Sequence, residues 1–326
     1  MTSIKKIGLL TSGGDAPGMN AVIRAVTRTA LMNNIEVTGI VNGYAGLFSK
    51  EFINLNALAV SNIEGTGGTI LRSSRCKEMM TDEGRDKAAN ICKEYGMDAL
   101  VVIGGDGSLT GAQTLAERGI SIMGIPGTID LDLACSEYTI GFDTALKTAS
   151  DAISCLIDTS NSHERCSVVE VMGRNCGSIA IWSAIASGAD IALVPEVNDI
   201  TTEDVIKKVK HTREKGKKFS LIVVAEGVGG SVKLAKDIEE STGIESRATV
   251  LGHIQRGGHP TVLDRVYAAI MGNKAVQLLI NGETNKIITV QNGKCSSIDL
   301  EEGLKLQKTK KKFDKDLYDV INTLSI

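Results

Sequence analysis

Aromatic side chains and prolines are scarce in this chain. Only 3% of its 326 residues are phenylalanine, tyrosine or tryptophan, and four are proline. The chain therefore offers little aromatic stacking surface. Because no proline-rich or low-complexity stretch interrupts it, the sequence marks no linker and no domain boundary. Its length still exceeds the roughly 100–200 residues of one ordinary domain, which predicts two domains.

An excess of positive charge is also missing. The formal net charge is −3, whereas a protein that binds the phosphate backbone of nucleic acids needs a clear cationic excess. A nucleic-acid binder is therefore disfavoured. The lysines near the C-terminus are predicted to form a solvated surface; they are Lys305, Lys308, Lys310, Lys311 and Lys312.

Long hydrophobic runs and paired cysteines are absent as well. No stretch approaches the ~18 consecutive apolar residues of a membrane-spanning helix, and residues 1–6 lack the features of a signal peptide. We therefore expect a cytoplasmic protein. The seven cysteines show neither a C-x-x-C pattern nor the Cys/His spacing of a zinc site, which predicts free and mostly buried thiols.

Glycine is abundant, with 35 residues. Short β-branched runs end in glycine or an acid and are followed by stretches with helical spacing, which predicts an α/β protein with mostly parallel sheets. The predicted strands begin at Ile7, Ala99, Ser121, Ser167, Ile191 and Ser220. The predicted helices lie at about residues 17–33, 108–118, 141–158, 202–215 and 261–280.

Glycine loops follow three of these strands, at Thr11–Asp15, Ile103–Gly107 and Ala225–Gly229. Ligands of parallel sheets bind at the carboxyl ends of the strands. Glycine lets backbone N–H groups approach an anion closely, and the helix after the first loop adds a favourable partial charge. The first loop is thus a candidate phosphate site, with a plain strand-to-helix turn as the alternative.

The second loop, Gly104–Ser108, places the Asp106 carboxylate between glycines directly after an apolar strand. Such a carboxylate suits Mg²⁺ bound to nucleotide phosphates. The alternative is a tight turn in which Asp106 bonds its own backbone. A GGDG sequence after a buried strand is rare by chance, which favours the functional interpretation.

Two further acids, Asp130 and Asp132, alternate with Leu131. In extended backbone both carboxylates would project from one side, and one could serve a metal while the other acts as a base. Four arginines lie beside candidate strand ends and could grip phosphates; they are Arg165, Arg174, Arg247 and Arg256. No histidine sits in a triad or zinc pattern, so phosphoryl transfer is favoured over nucleophilic hydrolysis.

Six ordered blocks resemble the ATP-dependent 6-phosphofructokinases of bacterial type, from the first strand to about residue 275. The blocks are Leu10–Asn20, Ile103–Ser108, Pro126–Asp130, Tyr138–Asp143, Val169–Arg174 and Arg247–Gly258. The resemblance implies two similar three-layer α/β/α domains with the active site in the cleft between them. It places residues 1–141 and 255–305 in an ATP-binding domain, and residues 142–254 and 306–326 in a fructose 6-phosphate-binding domain.

The resemblance also implies transfer of the γ-phosphoryl group of MgATP to the 1-hydroxyl of fructose 6-phosphate, in a homotetramer. Asp130 would be the base, with Thr128, Asp132, Gly14 and Arg174 completing the catalytic set. The nucleotide and its Mg²⁺, the latter on Asp106, would be held by Gly14, Arg75, Cys76, Gly105, Asp106, Gly107 and Ser108. The sugar phosphate would be held by Thr128, Asp130, Met172, Gly173, Arg174, Glu226, His253 and Arg256, joined by Arg165 and Arg247 of a neighbouring subunit.

Glycines at 107 and 127 favour ATP, since relatives that use pyrophosphate typically carry an acid and a lysine there. One departure from the family concerns Leu131, where the family has asparagine. We expect this leucine to loosen the loop and lower the rate of an enzyme that remains active. The alternatives are another kinase with a GGDG loop, or a catalytically impaired paralogue that senses a nucleotide or sugar phosphate.

A second departure concerns regulation. The family binds ADP or phosphoenolpyruvate between subunits, at positions that correspond here to Arg24, Arg28, Asp190, Lys215 and Lys217. Two further positions that carry arginine in the family are Ala57 and Ile157 in this chain. Loss of two charge-assisted contacts, each worth about 1.5–3 kcal/mol, predicts weak allosteric control.

Overall fold

The computed structural model describes residues 4–309 and 313–325. Of the lysines predicted to form a solvated surface, Lys305 is exposed and pairs with Glu301 at 2.6 Å. Lys310, Lys311 and Lys312 lie outside the described residues, as does the side chain of Lys308.

The described part of the chain contains eleven strands and eleven α-helices. The strands are β1 Lys6–Ser12, β2 Glu36–Ile40, β3 Phe52–Asn54, β4 Ala99–Gly104, β5 Ser121–Pro126, β6 Cys166–Val171, β7 Ile191–Leu193, β8 Ser220–Ala225, β9 Ser246–Val250, β10 Lys286–Gln291 and β11 Lys294–Asp299. The helices are α1 Met19–Met32, α2 Tyr44–Ser49, α3 Asp82–Glu94, α4 Asp106–Ala116, α5 Phe142–His163, α6 Ser178–Ser187, α7 Thr202–Glu214, α8 Ser231–Thr242, α9 Val262–Ile280, α10 Leu300–Thr309 and α11 Lys315–Leu324.

These elements form two compact units. Among the described residues, the first comprises 4–129, 133–144 and 256–309, and the second comprises 130–132, 145–255 and 313–325. The predicted division placed residues 130–132 in the first domain, whereas the structure groups them with the second unit.

The first unit is built on a seven-stranded sheet in the order β11-β10-β5-β4-β1-β2-β3. The pairs among β10, β5, β4, β1 and β2 are parallel, and only the edge strands β3 and β11 run antiparallel. All six residues of β4 are buried, as expected for a parallel strand covered on both faces. Its core packs Leu100 and Val102 against Leu109 and Leu115 of α4.

The second unit has a four-stranded, fully parallel sheet in the order β7-β8-β6-β9. Its core packs Val168 of β6 and Ile222 of β8 against Val209 of α7 and Ile238 of α8. The predicted fold class, α/β with mostly parallel sheets, is therefore confirmed.

The structure can be compared with two predictions that were made from composition. All seven cysteines are free, and Cys92, Cys135, Cys166 and Cys176 are buried, which confirms the prediction of unpaired, mostly buried thiols. Burial raises the pKa of the Cys166 thiol to about 12. Among the described residues, no helix combines the length and the apolar character that crossing a membrane requires.

Candidate active site

Three loops lie next to one another at the carboxyl ends of the central strands of the seven-stranded sheet. The strands β5, β4 and β1 are neighbours and run parallel, so their carboxyl ends lie together. Ser12 pairs in register with Gly104, and Gly104 with Pro126. The N–H of Gly127 donates to the carbonyl of Gly104 at 3.0 Å. The sequence-predicted loops after β1, β4 and β5 are thus adjacent.

The guanidinium group of Arg256 lies close to the backbone of the first loop. A Cβ added at Gly14 would lie 2.5 Å from Nη1 of Arg256, so glycine is required for this approach. The same Nη1 donates to the carbonyl of Asp15 at 3.3 Å. Arg256 was predicted to hold the sugar phosphate, and the structure places its guanidinium beside the first glycine loop. A side chain at position 14 would displace that guanidinium.

Asp106 is the first residue of α4 and follows β4 by two positions. Within residues 4–309 and 313–325, its half-buried carboxylate takes part in no hydrogen bond or ion pair, so the tight-turn alternative does not hold. A Cβ added at the next residue, Gly107, would meet nothing within 4 Å. The space beside Gly107 is therefore open, and the Asp106 carboxylate, with no partner among the described residues, is available to a cation.

A second segment is attached to the first loop. The hydroxyl of Ser73 donates to the carbonyl of Gly13 at 2.5 Å, two residues before the exposed Arg75. The half-buried Cys76 packs against the core of the first unit, and its thiol contacts Glu78 at 3.4 Å. This attachment places Arg75 and Cys76 near the predicted nucleotide loops.

Ser108 packs against the first two of these loops, where a Cβ added at Gly13 would lie 3.1 Å from its hydroxyl oxygen. It is buried, and its carbonyl accepts a hydrogen bond from the hydroxyl of Tyr44 at 2.7 Å. A Cβ added at Gly104 would lie 2.7 Å from the Ser108 hydroxyl oxygen, so the first glycine of the GGDG loop leaves room for that side chain.

The third loop carries Thr128, which is buried beside the GGDG loop. A Cβ added at Gly105 would lie 3.5 Å from Cβ of Thr128. Asp130 follows two residues later and is 6% exposed. The prediction that Asp130 and Asp132 alternate along extended backbone is wrong, because Leu131 between them has φ 52°, in the left-handed region. Leucine is disfavoured there, whereas asparagine is tolerated.

The second unit brings its own candidate residues to one sheet edge. The strands β8, β6 and β9 are neighbours and parallel, and Val171 pairs in register with Ala225. The N–H of Glu226 donates to the carbonyl of Val171 at 2.8 Å. Met172 and Glu226, which follow these two strands, therefore lie side by side.

Glu226 also fixes the conformation of Arg174. Its Oε1 accepts hydrogen bonds from the N–H groups of Gly173, at 3.3 Å, and Arg174, at 2.6 Å. Both residues have positive φ, 138° and 56°, which is unusual for arginine. The carboxylate thus holds a strained turn that presents the exposed Arg174 side chain.

Gln255 is a residue that sequence reasoning missed. It is fully buried; its Oε1 accepts from the N–H of Met172 at 3.3 Å, and its Nε2 donates to the carbonyl of Gly252 at 3.1 Å. It thereby ties Met172 to the short 3₁₀ turn Gly252–Arg256, which carries the exposed His253. A glutamine inside a glycine-rich motif gives no signal of burial, so only its contacts identify it.

Arg165 and Arg247 do not join the other predicted substrate residues of their unit. Arg165 precedes β6, whereas Met172 follows it, which separates the two Cα atoms by roughly 20 Å along the strand. Arg165 pairs with Glu245 at 2.7 Å, and Arg247 pairs with the same carboxylate at 2.5 Å. The hydrogen bond from Arg165 holds the pKa of Glu245 below its usual value, and Arg247 adds to this effect.

The predicted effector residues are partly engaged in ion pairs. Arg24 contacts Glu64 at 3.2 Å. Lys217 contacts Asp190 at 2.6 Å, and the other oxygen of this buried carboxylate accepts from the N–H of Leu221 at 2.9 Å. The remaining two cations, Arg28 and Lys215, are exposed.

The metal-binding potential of the described residues fits a substrate-bridged ion. They contain no group of three or more His, Cys, Asp or Glu side chains that could hold a metal. Magnesium in nucleotide sites is usually held by one or two carboxylates together with substrate phosphates. The unpaired Asp106 carboxylate fits that mode of binding.

Glycine loops and an unpaired carboxylate at the carboxyl edge of a parallel sheet define a nucleotide-dependent phosphotransferase of the α/β class. A family model described as Phosphofructokinase matches residues 6–279. The chain belongs to the phosphofructokinase family.

A relative from Clostridium perfringens, named ATP-dependent 6-phosphofructokinase 1, is 53% identical over 322 residues, which cover 99% of this chain and 100% of the relative. Two solved structures are also similar. Phosphofructokinase from Saccharomyces cerevisiae has a TM-score of 0.86 and 32% identity, and that of Pichia pastoris has a TM-score of 0.88 and 34% identity. Each match covers 99% of this chain, but this chain spans only 48% and 37% of those longer chains.

Proposed function

We propose that the protein transfers the γ-phosphoryl group of MgATP to the 1-hydroxyl of fructose 6-phosphate, giving fructose 1,6-bisphosphate and ADP. The observation that carries this proposal is the meeting of three loops at one sheet edge, where the Asp106 carboxylate has no partner among the described residues. The enzyme class predicted from the sequence, an ATP-dependent 6-phosphofructokinase, is supported over the whole chain by a relative of that name at 53% identity.

The nucleotide side of the reaction depends on charge. Mg²⁺, held by Asp106, would neutralise charge on the β- and γ-phosphates. The N–H of Gly14 and the guanidinium groups of Arg75 and Arg174 would stabilise negative charge that develops on the transferring oxygens. No residue of this set is assigned as a nucleophile, so the proposed reaction is a direct transfer between the two substrates.

On the acceptor side, Asp130 would take the proton from the 1-hydroxyl as the phosphoryl group arrives. Its burial limits access of water, which would compete for the phosphoryl group. Thr128 would lie beside the transferring group. Met172, Glu226, His253 and Arg256 would hold the sugar phosphate, with Glu226 also fixing Arg174.

The surroundings of two glycines favour ATP over pyrophosphate. Space beyond Gly107 is open, which suits a larger phosphate donor. A Cβ at Gly127 would lie 2.9 Å from Cγ2 of the buried Ile103, so a lysine at this position would require the strand end to move. The packing thus restricts side chains at position 127, whereas position 107 is open.

The direct test supplies purified protein with Mg²⁺ and fructose 6-phosphate, and offers ATP and pyrophosphate in parallel. We expect ADP and fructose 1,6-bisphosphate to form in equal amounts with ATP, and no turnover with pyrophosphate. Absence of turnover with ATP would contradict the proposal. If the protein bound the substrates but turned over no faster than its Asp130→Asn variant, the sensor alternative would replace it.

We also propose a homotetramer in which Arg165 and Arg247 complete the site of a neighbouring subunit. The support is their place at the amino ends of β6 and β9, whereas Met172 and Glu226 lie at the carboxyl ends of their strands. Within one chain this arrangement cannot gather all the phosphate-binding residues. We further propose a cytoplasmic location, where both proposed substrates occur.

Subunit complementation tests the shared site. We expect Asp130→Asn and Arg165→Ala each to be nearly inactive, because one lacks the base and the other a phosphate ligand. When the two variants are dissociated, mixed and reassembled, sites that combine Asp130 of one chain with Arg165 of another are intact, and about one quarter of wild-type activity should return. If each active site were contained within a single chain, mixing the two variants would restore no activity.

Weak control by phosphate effectors is the second expected property of this assembly. Ala57 and Ile157 provide no cation, and the structure engages Arg24 and Lys217 in ion pairs with Glu64 and Asp190. We expect millimolar phosphoenolpyruvate or ADP to change the half-saturating concentration of fructose 6-phosphate by less than about twofold, since each missing charge-assisted bond costs about 1.5–3 kcal/mol.

The matched variant for this prediction restores both arginines, as Ala57→Arg with Ile157→Arg. Effector response should then increase, measured as a shift of the saturation curve. A strong shift in the unmodified protein would refute the prediction of weak control.

A further inference from the structure

Asp264 is a fully buried carboxylate in the first turn of α9. Its Oδ1 accepts hydrogen bonds from the hydroxyl of Tyr138 and the N–H of Gly141, both at 2.6 Å. Its Oδ2 accepts from the N–H of Thr144 at 3.0 Å and from the hydroxyl of the same residue. No cation pairs with Asp264 among the described residues, so its charge is balanced by these donors and by the helix N-terminus.

Keeping this carboxylate buried is costly. Desolvation raises the pKa of Asp264 above its ordinary value, although the four donors act in the opposite direction. A fully satisfied buried polar network can define one arrangement of the groups that bond to it. The four groups that donate to the Asp264 carboxylate all belong to one segment, residues 138–144.

This segment is hydrogen-bonded to the loop that carries Thr128. The hydroxyl of Thr139 donates to the carbonyl of Thr128 at 2.7 Å. The N–H of Ile140 donates to the carbonyl of Pro126 at 3.0 Å, and Ile140 forms a parallel bridge with Gly127. Segment 138–144 therefore extends the sheet edge on which Thr128 lies.

The first glycine loop also packs against segment 138–144 and Asp264. Gly18 ends this loop with φ 102°, and a Cβ there would lie 2.6 Å from Cγ2 of Ile140 and 3.5 Å from Cβ of Asp264. Both the first loop and the Thr128 loop thus pack against residues that Asp264 holds.

We propose that Asp264 is a positioning residue for phosphoryl transfer. It holds segment 138–144 so that Thr139 fixes the carbonyl of Thr128 and, with it, the orientation of the loop that precedes Asp130. Asp264 touches no substrate in this scheme and acts only through these contacts. The proposal rests on the proposed function, since the loop it orients is the one assigned to phosphoryl transfer.

Asp264→Asn is the first variant for the test. The amide keeps the shape of the side chain but turns one acceptor into a donor, which faces either Thr144 or the pair formed by Tyr138 and Gly141. We expect kcat to fall roughly 10–100-fold, because a displacement of about 1 Å at reacting groups can cost 10²-fold. The KM for ATP should stay within about threefold of wild type, since the nucleotide loops keep their own contacts.

Val276→Ala is the matched control. Val276 is fully buried in the second half of the same helix, so its truncation destabilises α9 without removing a hydrogen bond from segment 138–144. We expect a lower melting temperature with kcat, measured per folded molecule, within about twofold of wild type. Equal kcat values for Asp264→Asn and Val276→Ala would overturn the proposal.

Thr139 provides the second part of the test. Thr139→Val removes the hydroxyl that reaches Thr128, whereas Thr139→Ser keeps it. Because Asp264 acts through this contact, the double variant Asp264→Asn with Thr139→Val should be no slower than the slower single variant, and Thr139→Ser should stay near wild type. Full additivity of the two losses would contradict the proposed route.

Amide hydrogen exchange gives a readout that is independent of turnover. In Asp264→Asn, the N–H groups of Gly127 and Ile140 should exchange faster than in wild type, because Ile140 donates to the carbonyl of Pro126 and forms a bridge with Gly127, whose own N–H donates to the carbonyl of Gly104. In Val276→Ala, the exchange rates of these two groups should stay close to wild type. Unchanged exchange would overturn the positioning role. An inactive wild-type protein would instead contradict the proposed function, and the exchange result would still decide whether Asp264 holds the loop.

Discussion

Asp130→Asn is expected to lower kcat by about 10²–10⁴-fold, the usual contribution of a positioned general base. The amide cannot take the proton of the attacking hydroxyl, and Asp130 is buried at 6% exposure, so bulk water is a poor substitute. The KM values for ATP and fructose 6-phosphate should change little, because the phosphate ligands remain. Steady-state kinetics with both substrates varied measures this split.

Asp316→Asn is a control for this substitution. Asp316 is an exposed residue near the start of α11, so the same chemical change there should leave kcat and melting temperature close to wild type. Substrates should still stabilise the Asp130→Asn variant against heat, which would show that binding survives. A variant that kept more than about one tenth of wild-type kcat would exclude Asp130 as the principal base.

The second large effect is expected for Asp106→Asn. Because Asp106 is free of partners and no larger carboxylate cluster exists among the described residues, its charge should provide much of the protein's hold on Mg²⁺. Charge stabilisation by such a metal amounts to several kcal/mol, so we expect kcat/KM for MgATP to fall at least about 10²-fold. The Mg²⁺ concentration for half-maximal rate should rise at least about tenfold.

The metal itself provides the control. Mn²⁺ shares with Mg²⁺ the octahedral coordination by carboxylate, carbonyl and water oxygens, so it should recover part of the lost activity if the defect is one of metal binding. Binding of ATP without metal should be nearly unchanged. If the half-maximal Mg²⁺ concentration did not move, Asp106 would not be the metal ligand.

The sequence predicted the central strands well and the edges poorly. Strands β1, β4 and β5 are continuous apolar runs because both faces are covered, which makes them recognisable without a partner. Strands β2, β3, β9, β10 and β11 were missed. Of these, β3, β9 and β11 are edge strands, which are short or carry partly exposed positions. The other two, β2 and β10, lie next to the edge strands of the first sheet. Helix α3 was missed because its apolar positions are few among charged ones.

The sequence likewise identified the glycine loops but not the buried residues that support them. The GGDG sequence can be recognised as a motif from its residues alone, and Asp106 was predicted as a site residue in this way. Asp264 and Gln255 were not, because an acid at a helix start and a glutamine in a turn are common on protein surfaces. Their importance lies in burial and in bonds to residues far away in the chain, such as the link from Asp264 to Tyr138.

By itself, the amino-acid sequence determined the fold class and the family, because these follow from local apolar patterns and short motifs, and it supplied the candidate residues for the chemistry. Only the tertiary structure decided that Ser12, Gly104 and Pro126 lie in register, that Arg256 covers Gly14, and that Leu131 turns the chain out of extended backbone. Strand register and buried hydrogen bonds join residues across 90 or more positions, as for Ser12 with Gly104. Such pairings depend on packing of the whole unit, and no local pattern in the sequence encodes them.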